Sequence, residues 1–332
     1  MTARQEAEGS PATQVGAPAE GSEAEQAGGP APRPPPHGRI RARLDGTDWR
    51  LVAKGVLRHA KRDRVTVLAG SLAYRWFLSL FPAIIALLGV TSLLRLPQKT
   101  ISALVHGAGT ALPPGASEVL SSALTHAHER TTGAAGAVVA ASIVAIWSAS
   151  SSMSVLQSSL DMAEEIPSDR RFLAKRVVAV GLILAVAVLG GAASALVVFG
   201  APVGRAIDGA VPVAGTVFVA AWTAVRWVSA VVLVMTLFAV IYWIGPNRES
   251  PRWTWLSPGA LVGTVVWVLA SLAFSLFTSH FGSYGRTYGA FAGVAILIFW
   301  LYVSGAAVLL GAEINAEVAR LSSERSSARA AS

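Results

Sequence analysis

The few charged and hydroxyl side chains that fall inside apolar stretches of this sequence are the first candidates for chemistry. One stripe of the first such stretch, by helical spacing, contains Ser71, Arg75, Ser79 and Pro82. Because Pro82 has no amide hydrogen for the carbonyl of Leu78, we expect a kink that leaves this oxygen for another donor. A cation and a free carbonyl on one stripe are typical of a polar pathway.

Arg75 itself has two interpretations. It lies about ten residues into the apolar stretch, where a charged side chain costs at least ~2.5 kcal/mol unless it meets partners or water. Such a charge marks a functional cavity by default. Alternatively, Arg75 reaches back to the membrane interface or pairs with a carboxylate for structural reasons alone. The sequence leaves both open.

A second polar face closes the next apolar stretch. Its members lie within about a third of a helix circumference and are Ser150, Ser151, Ser154, Gln157, Ser158 and Asp161. Such a face favours contact with other helices over contact with lipid. It is typical of a polar passage, but small hydroxyl residues also serve close packing and hydrogen bonds between helices.

The last apolar stretch ends with Glu313 and Asn315, on a helix whose one face is small and polar. Glu313 is the natural partner for Arg75, since the first stretch begins and the last one ends on the same side of the membrane. Our hypothesis is that the two opposite charges hold these helices together.

The sequence contains no motif that indicates catalysis. His126, His128 and Glu129 superficially resemble metal ligands, but no other cluster of ligands adjoins them. The chain has no cysteine, which excludes disulfides, thiolate metal sites and cysteine nucleophiles. It also has no phosphate-binding loop with lysine, no nucleophile elbow and no zinc-protease helix. We therefore expect no enzyme activity, no cofactor and no metal site.

The elements that carry these residues follow from composition. Of 332 residues, 53% are hydrophobic and 14% are charged, against about 25% charged in a soluble domain. Several apolar runs reach the roughly 20 residues that a helix needs to span hydrocarbon. The sequence predicts an all-α membrane helix bundle over 65–319, with spans at 65–94, 133–160, 177–199, 214–244, 258–279 and 289–318. A short external helix is predicted within 95–132.

The flanks are polar. Residues 1–47 are rich in Pro, Ala and Glu and are expected to be a disordered tail, as are residues 320–332. Residues 48–64 are expected to form an amphipathic helix in the membrane plane, with Trp49, Val52 and Val56 on its apolar face. A solvated helix is the alternative.

Orientation follows from the basic residues beside the spans. Residues 50–64 and 320–329 and the loops 161–176 and 245–257 carry fifteen lysines and arginines, and the opposite flanks carry five. Because basic flanks stay inside, we expect both termini in the cytoplasm and contact with anionic lipid headgroups there. No nucleic-acid partner is expected. The Gly259/Gly263 and Gly289/Gly293 spacings favour close helix packing, and they are compatible with a homo-oligomer.

Several motifs together resemble the YihY/BrkB family of bacterial inner-membrane proteins. They are Leu72-Ala-Tyr74, Ser79-Leu-Phe-Pro82, Gly245-Pro-Asn247, Ser257-Pro-Gly259, the 281–289 loop, and Trp300-Leu-Tyr302 through Leu310-Gly-Ala-Glu313-Ile-Asn315. The resemblance covers about residues 50–320. It implies a six-helix cytoplasmic-membrane protein whose relatives include virulence factors for serum resistance. The resemblance also brings an old ribonuclease label, which no soluble domain or metal cluster in the sequence supports. The long N-terminal tail and Arg75 depart from the family pattern.

Three functions were weighed. A transporter or exporter of a small polar or lipid-like solute is favoured by the intramembrane charge and the polar faces of the second and sixth spans. A non-transporting scaffold or envelope-integrity protein is favoured by the lack of a clear binding constellation. A membrane-embedded enzyme is the third.

Overall fold

The computed structural model describes residues 46–93, 135–210, 215–249, 253–280 and 285–331. Within these ranges the chain is helical with short connections and has no strand. The α-helices of these ranges are α1 (Gly46–Arg62), α2 (Val65–Leu93), α3 (Ala135–Ala163), α4 (Phe172–Ala185), α5 (Gly191–Ala210), α6 (Gly215–Ile244), α7 (Pro258–His280) and α8 (Gly285–Ala330). The five-residue π turn Val186–Gly190 joins α4 directly to α5.

The helices have the length and composition of membrane spans. Four described stretches are long and apolar enough to cross a bilayer, namely Phe172–Gly204, Val217–Ile244, Pro258–Phe277 and Gly293–Arg325. A shorter apolar stretch, Val65–Phe81, lies in α2. Large apolar side chains cover the outside of these helices, for example Leu173 and Leu276. Since water would disfavour such a surface, it faces lipid, and the predicted all-α membrane bundle is confirmed.

The helices form a closed ring. Going round it, α2 packs against α3, α3 against α4, α4 and α5 against α6, α6 against α7, α7 against α8, and α8 against α2. Its interior is apolar and contains Leu72, Leu156, Leu182, Phe238 and Leu309. The connection 164–171 lies at one end of this ring with the α1–α2 corner, because Arg62 bonds Glu165 there, and residues 245–249 lie at the same end, because Arg170 bonds the Gly245 carbonyl. We call this end the basic end.

Small residues let the helices approach closely. A methyl group added to Gly200 would meet the Arg226 side chain at 2.3 Å, so α5 and α6 touch there through glycine. Gly259 on α7 likewise lies against the Gly311 carbonyl of α8. The packing role expected for Gly259 and Gly263 is therefore observed within one chain.

The start of α7 follows the predicted pattern. Ser257 is its N-cap residue, and its Oγ accepts a hydrogen bond from the Ala260 amide at 3.1 Å. Pro258 occupies the first helical position, where the missing amide hydrogen costs nothing. The third predicted span is extended at both ends, since α4, the π turn and α5 together run from Phe172 to Ala210.

The secondary structure of the C-terminal flank differs from the expectation. Residues 320–330, predicted to be disordered, continue α8 to Ala330. Arg320 bonds Glu317 one turn before it and Glu324 one turn after it, and such pairs stabilise a helix without burying apolar surface. The disorder was predicted from the polarity of this segment alone, without regard to the ion pairs that Arg320 forms with Glu317 and Glu324. The tail 1–45 and the predicted external helix within 95–132 lie outside the described residues.

Candidate functional site

A short basic segment, residues 170–176, lies against the serine face of α3 at the basic end. Arg170 reaches three acceptors. Its Nη1 donates to Gln157 Oε1 at 3.1 Å and to the Gly245 carbonyl at 2.7 Å, and its Nη2 donates to the Pro246 carbonyl at 2.6 Å. One guanidinium therefore joins α3, the basic segment and the connection after α6, which its fixed fork of donors suits.

Lys175 continues this contact. Its Nζ donates to Ser158 Oγ at 2.6 Å and to Asp169 Oδ2 at 2.5 Å. The ammonium group holds the pKa of Asp169 below its ordinary value, chiefly through this hydrogen bond. The Lys175 carbonyl also accepts a hydrogen bond from Gln157 Nε2 at 3.1 Å, so the start of α4 is fixed to α3 through backbone as well.

Arg176 lies at the apolar border of the same face. Its Nη1 donates to Ser150 Oγ at 2.8 Å, and its guanidinium lies 4.5 Å from the centre of the Trp147 ring. The Phe172 ring lies next to Trp147, with its centre 5.2 Å from the guanidinium. Two exposed aromatic rings around one cation form a cation–π contact that suits the interface between lipid and water.

The C-terminal end of the serine face, at Asp161, contacts the connection after α6. Asp161 is buried, and its Oδ1 accepts a hydrogen bond from the Asn247 amide at 2.6 Å. Asn247 Nδ2 in turn donates to the Ser168 carbonyl at 2.9 Å. Glu164 forms a bidentate ion pair with Arg248 beside them. The Gly245-Pro-Asn247 motif is thus a docking point for the end of α3.

The predicted serine face therefore packs against protein, as its polarity indicated. Ser154 and Ser158 are half-buried and return hydrogen bonds to carbonyls one turn earlier, at 2.7 and 3.3 Å, and Ser151 is half-buried too. What the sequence analysis missed is the partner. Arg170, Lys175 and Arg176 were counted only as orientation signals, although their position seven to thirteen residues after the polar end of α3 was a usable hint.

Arg75 is exposed on α2, and its side chain has no hydrogen bond or ion pair with any residue that the structure describes. Its carbonyl accepts a hydrogen bond from Ser152 Oγ at 3.1 Å, which places Arg75 level with the first residues of the serine face. Ser79 is half-buried and donates to the Trp76 carbonyl at 2.8 Å. The side chain of Pro82 lies outside the described set, while its backbone is part of α2, which runs as one helix from Val65 to Leu93.

The predicted ion pair between Arg75 and Glu313 is wrong. Glu313 lies beside Asp63, at the corner between α1 and α2, and is 1% exposed. Arg75 is twelve residues farther along the chain, which is about 18 Å along a helix axis. The sequence places both residues in the same half of the membrane but does not determine their depths in the membrane to within a few helical turns.

Asp63, Glu313 and Glu317 form what we call the acid corner. Glu317, 2% exposed, accepts hydrogen bonds from Arg320 at 2.7 and 3.0 Å, and its Oε2 lies 3.5 Å from His59 Nδ1. Asp63 Oδ1 accepts a hydrogen bond from Arg62 Nε at 2.8 Å. These contacts fix α1 to α8.

The backbone around the acid corner is unusual. Arg64 and Glu165 adopt left-handed conformations, with φ of 51° and 54°, which are uncommon for residues other than glycine. Glu165 accepts a hydrogen bond from Arg62 at 2.7 Å. Gly55 of α1 has no room for a side chain, since an added methyl group would lie 2.0 Å from Glu317 Oε1.

Asn315 has a structural contact of its own. Its Oδ1 accepts a hydrogen bond from the Gly259 amide at 2.8 Å, and its Nδ2 donates to Ser257 Oγ at 3.3 Å. Asn315 on α8 thus satisfies a free amide at the start of α7, a cap supplied by a second helix. The Ser257-Pro-Gly259 motif and the motif that ends at Asn315 meet at this point. Among the described residues no group of three His, Asp or Glu side chains is placed to hold a metal ion.

Comparison with known proteins gives a match to a family described as virulence factor BrkB over residues 56–332. The ribonuclease-like protein YfkH of Bacillus subtilis is 31% identical over 249 residues, which are 75% of this chain and 88% of that protein. A UPF0761 membrane protein of Xanthomonas oryzae is 27% identical over 263 residues, covering 77% of this chain and 58% of the relative.

Another UPF0761 membrane protein, from Pseudoalteromonas atlantica, is 40% identical over 79 residues, which are 24% of this chain and 26% of the relative. The chain therefore spans between about a quarter and three fifths of these two relatives. No solved structure matches it.

Proposed function

The chain belongs to the virulence factor BrkB family, whose relatives include membrane proteins of unassigned activity, and from this premise we propose that it moves a small polar or lipid-like solute across a bacterial cytoplasmic membrane. The family membership agrees with the resemblance seen in the motifs. Transport, its direction and its substrate are our proposal.

The observation that carries this proposal is the environment of Arg75. A guanidinium stays charged under all physiological conditions, and an exposed one on an apolar helix faces hydrocarbon unless something compensates it. No side chain in the described part of the chain does so. A solute or lipid with an anionic group is the partner that such a cation favours.

The basic segment supports the same proposal. Arg170, Lys175 and Arg176 place three further positive charges on the serine face of α3, at and below the level of Arg75. Clustered charges of one sign raise the local concentration of an oppositely charged solute. In this proposal, the basic segment attracts the solute and Arg75 contacts it during passage.

The test uses purified full-length protein in liposomes loaded with an extract of metabolites and phospholipid headgroup esters. Mass spectrometry identifies which compounds leave the liposomes. We expect flux of an anionic compound in the wild type and at least about a tenfold loss in Arg75→Gln, since tenfold corresponds to only about 1.4 kcal/mol. Arg58→Gln is the matched control, because Arg58 is an exposed arginine of α1 outside the ring.

Two results would count against transport. One is the absence of flux with folded wild-type protein, which would favour the scaffold or envelope-integrity alternative. The other is equal flux in Arg75→Gln and Arg58→Gln, which would remove Arg75 from the pathway.

We also propose that the basic end faces the cytoplasm and that α1 lies along the membrane surface there. Its exposed Arg50, Lys54 and Lys61 are placed to contact anionic headgroups, while Val52 is buried against the bundle. The chain lacks cysteine, so single-cysteine labelling tests this directly. Ser168→Cys at the basic end is expected to react only from inside the cell, and Val217→Cys, at the opposite end of α6, only from outside. The reverse pattern would invert the proposed topology.

A further inference from the structure

The acid corner contains two carboxyl groups in contact, and only one of them has a base beside it. Glu313 of α8 is 1% exposed and lies within hydrogen-bonding reach of Asp63, whose side chain is 7% exposed. An ionised carboxylate carries no hydrogen, so two ionised carboxylates cannot bond each other. In agreement with this, Glu313 Oε2 has no donor among the described residues although it is fully buried.

The contacts of the two groups with bases differ. Arg62 donates to both oxygens of Asp63, at 2.8 and 3.5 Å, and also to Glu165 at 2.7 Å. Glu313 has no hydrogen bond to a base among the described residues. The negative charges of Asp63 and Glu165 act on it, and the positive charge of Arg62 opposes them. Burial and like charge each favour the neutral form of a carboxyl group.

Glu317 is a comparison within the same helix. It lies one turn after Glu313 and is equally buried, at 2% exposed. Arg320 binds it with two hydrogen bonds, and His59 of α1 approaches it to 3.5 Å. Among the hydrogen bonds and ion pairs described at this corner, Arg62 serves Asp63 and Glu165, and Arg320 and His59 serve Glu317.

We propose that Glu313 and Asp63 form a proton-binding site, in which Glu313 holds the proton and donates it to the Asp63 carboxylate. The added hydrogen gives the unpartnered oxygen of Glu313 an acceptor and removes the repulsion between two buried anions. It also links α8 to the α1–α2 corner by a bond that exists only while the proton is present. A role for this proton in driving solute movement rests on the proposed transport function, but the proton site itself does not.

The stabilities of two variants, Glu313→Gln and Glu317→Gln, test this proposal. Glutamine has the shape of a protonated glutamate, so Glu313→Gln keeps a donor toward Asp63 and is expected to leave the unfolding midpoint of the full-length protein unchanged. Glu317→Gln replaces a carboxylate oxygen that accepts a hydrogen bond from Arg320, and it is expected to lower that midpoint. If Glu313→Gln unfolds the protein while Glu317→Gln does not, Glu313 acts as an anion and the proposal is wrong.

Infrared spectroscopy of the full-length protein in lipid nanodiscs measures the proton directly. At neutral pH we expect the carbonyl band of a buried carboxylic acid, which shifts on exchange into D2O. The band is expected to disappear in Glu313→Gln and to change frequency in Asp63→Asn. Asp169→Asn is the control that leaves the band unchanged, because Lys175 keeps the exposed Asp169 ionised.

The outcomes separate this proposal from transport. Absence of the band in folded wild type, or its survival in Glu313→Gln, would overturn the proton site. If the band is assigned to Glu313 but solute flux does not change when a pH gradient is imposed, the proton site is supported and its role in driving transport is rejected.

Discussion

Gly259 offers the strictest test of how α7 and α8 are joined. A methyl group placed on this residue would lie 2.0 Å from the Gly311 carbonyl oxygen and 2.6 Å from Cγ of Asn315. The nearest atom belongs to the backbone and has no other rotamer to adopt. Gly259→Ala therefore requires the two helices to separate by about 1 Å, since carbon and oxygen in contact approach only to roughly 3.3 Å.

The cost follows from two terms. Overpacking of a well-packed contact costs about 1–3 kcal/mol. Separation also weakens the hydrogen bond from the Gly259 amide to Asn315 Oδ1, now 2.8 Å, which contributes about 1 kcal/mol. The better helix propensity of alanine offsets at most ~1 kcal/mol. We expect Gly259→Ala to lower the free energy of unfolding by about 2–3 kcal/mol.

The assay is unfolding of the purified protein in mixed micelles, followed by tryptophan fluorescence. Gly181→Ala is the matched control, since Gly181 lies in α4 with nothing within 4 Å of the added methyl group. That variant is expected to be neutral or more stable by up to ~1 kcal/mol. If Gly259→Ala proved as stable as Gly181→Ala, the close approach of α7 to α8 would be wrong.

Two further predictions concern the basic segment. Arg170→Ala is expected to cost about 2–4 kcal/mol in the same assay, because it leaves the buried Gly245 carbonyl without its donor and removes one of the two donors of the buried Pro246 carbonyl. Arg170→Lys is expected to recover only part of the loss, and full recovery by lysine would show that charge alone matters. The pKa of Asp169 is lowered by Lys175, so its contribution to stability is complete above the ordinary aspartate pKa of about 4 and disappears as the pH falls through the lowered value. Asp169→Asn is expected to flatten the acid side of the stability curve at low salt, and an unchanged curve would contradict the ion pair.

The fold was predictable because lipid imposes a simple rule on sequence. Every buried backbone group must be satisfied within its own helix, so apolar runs of sufficient length can only be helices, and the 65–94, 214–244 and 258–279 predictions end within a residue or two of the helices observed. The cap at Ser257 was predictable for a similar reason, since Ser-Pro-Gly at a helix start has a local mechanism. These features depend on neighbours in the chain.

The pairing of charges depends on distant residues, and there the sequence reasoning failed. Glu313 was assigned to Arg75 because the first apolar stretch begins and the last one ends on the same side of the membrane, but Asp63 is its neighbour in space. The relevant variable is depth, and one helical turn moves a side chain by 5.4 Å, which is more than an ion pair tolerates. Charge counting likewise identified the basic segment as an orientation signal and gave no information on Gln157 or Ser158, its partners.

The acid corner and the basic segment are joined through one short connection. Glu165 lies at the end of α3 and bonds Arg62, while Asp169 and Arg170, four and five residues later, bond Lys175 and the carbonyls of Gly245 and Pro246. A displacement of the α1–α2 corner relative to α3 must either break the Arg62–Glu165 ion pair or pull on this connection. Both side chains of this pair are exposed to solvent, which weakens their attraction, so the pair is the weaker element and is expected to break first. The contacts of Arg170 would then keep the basic segment in place while the acid corner moves.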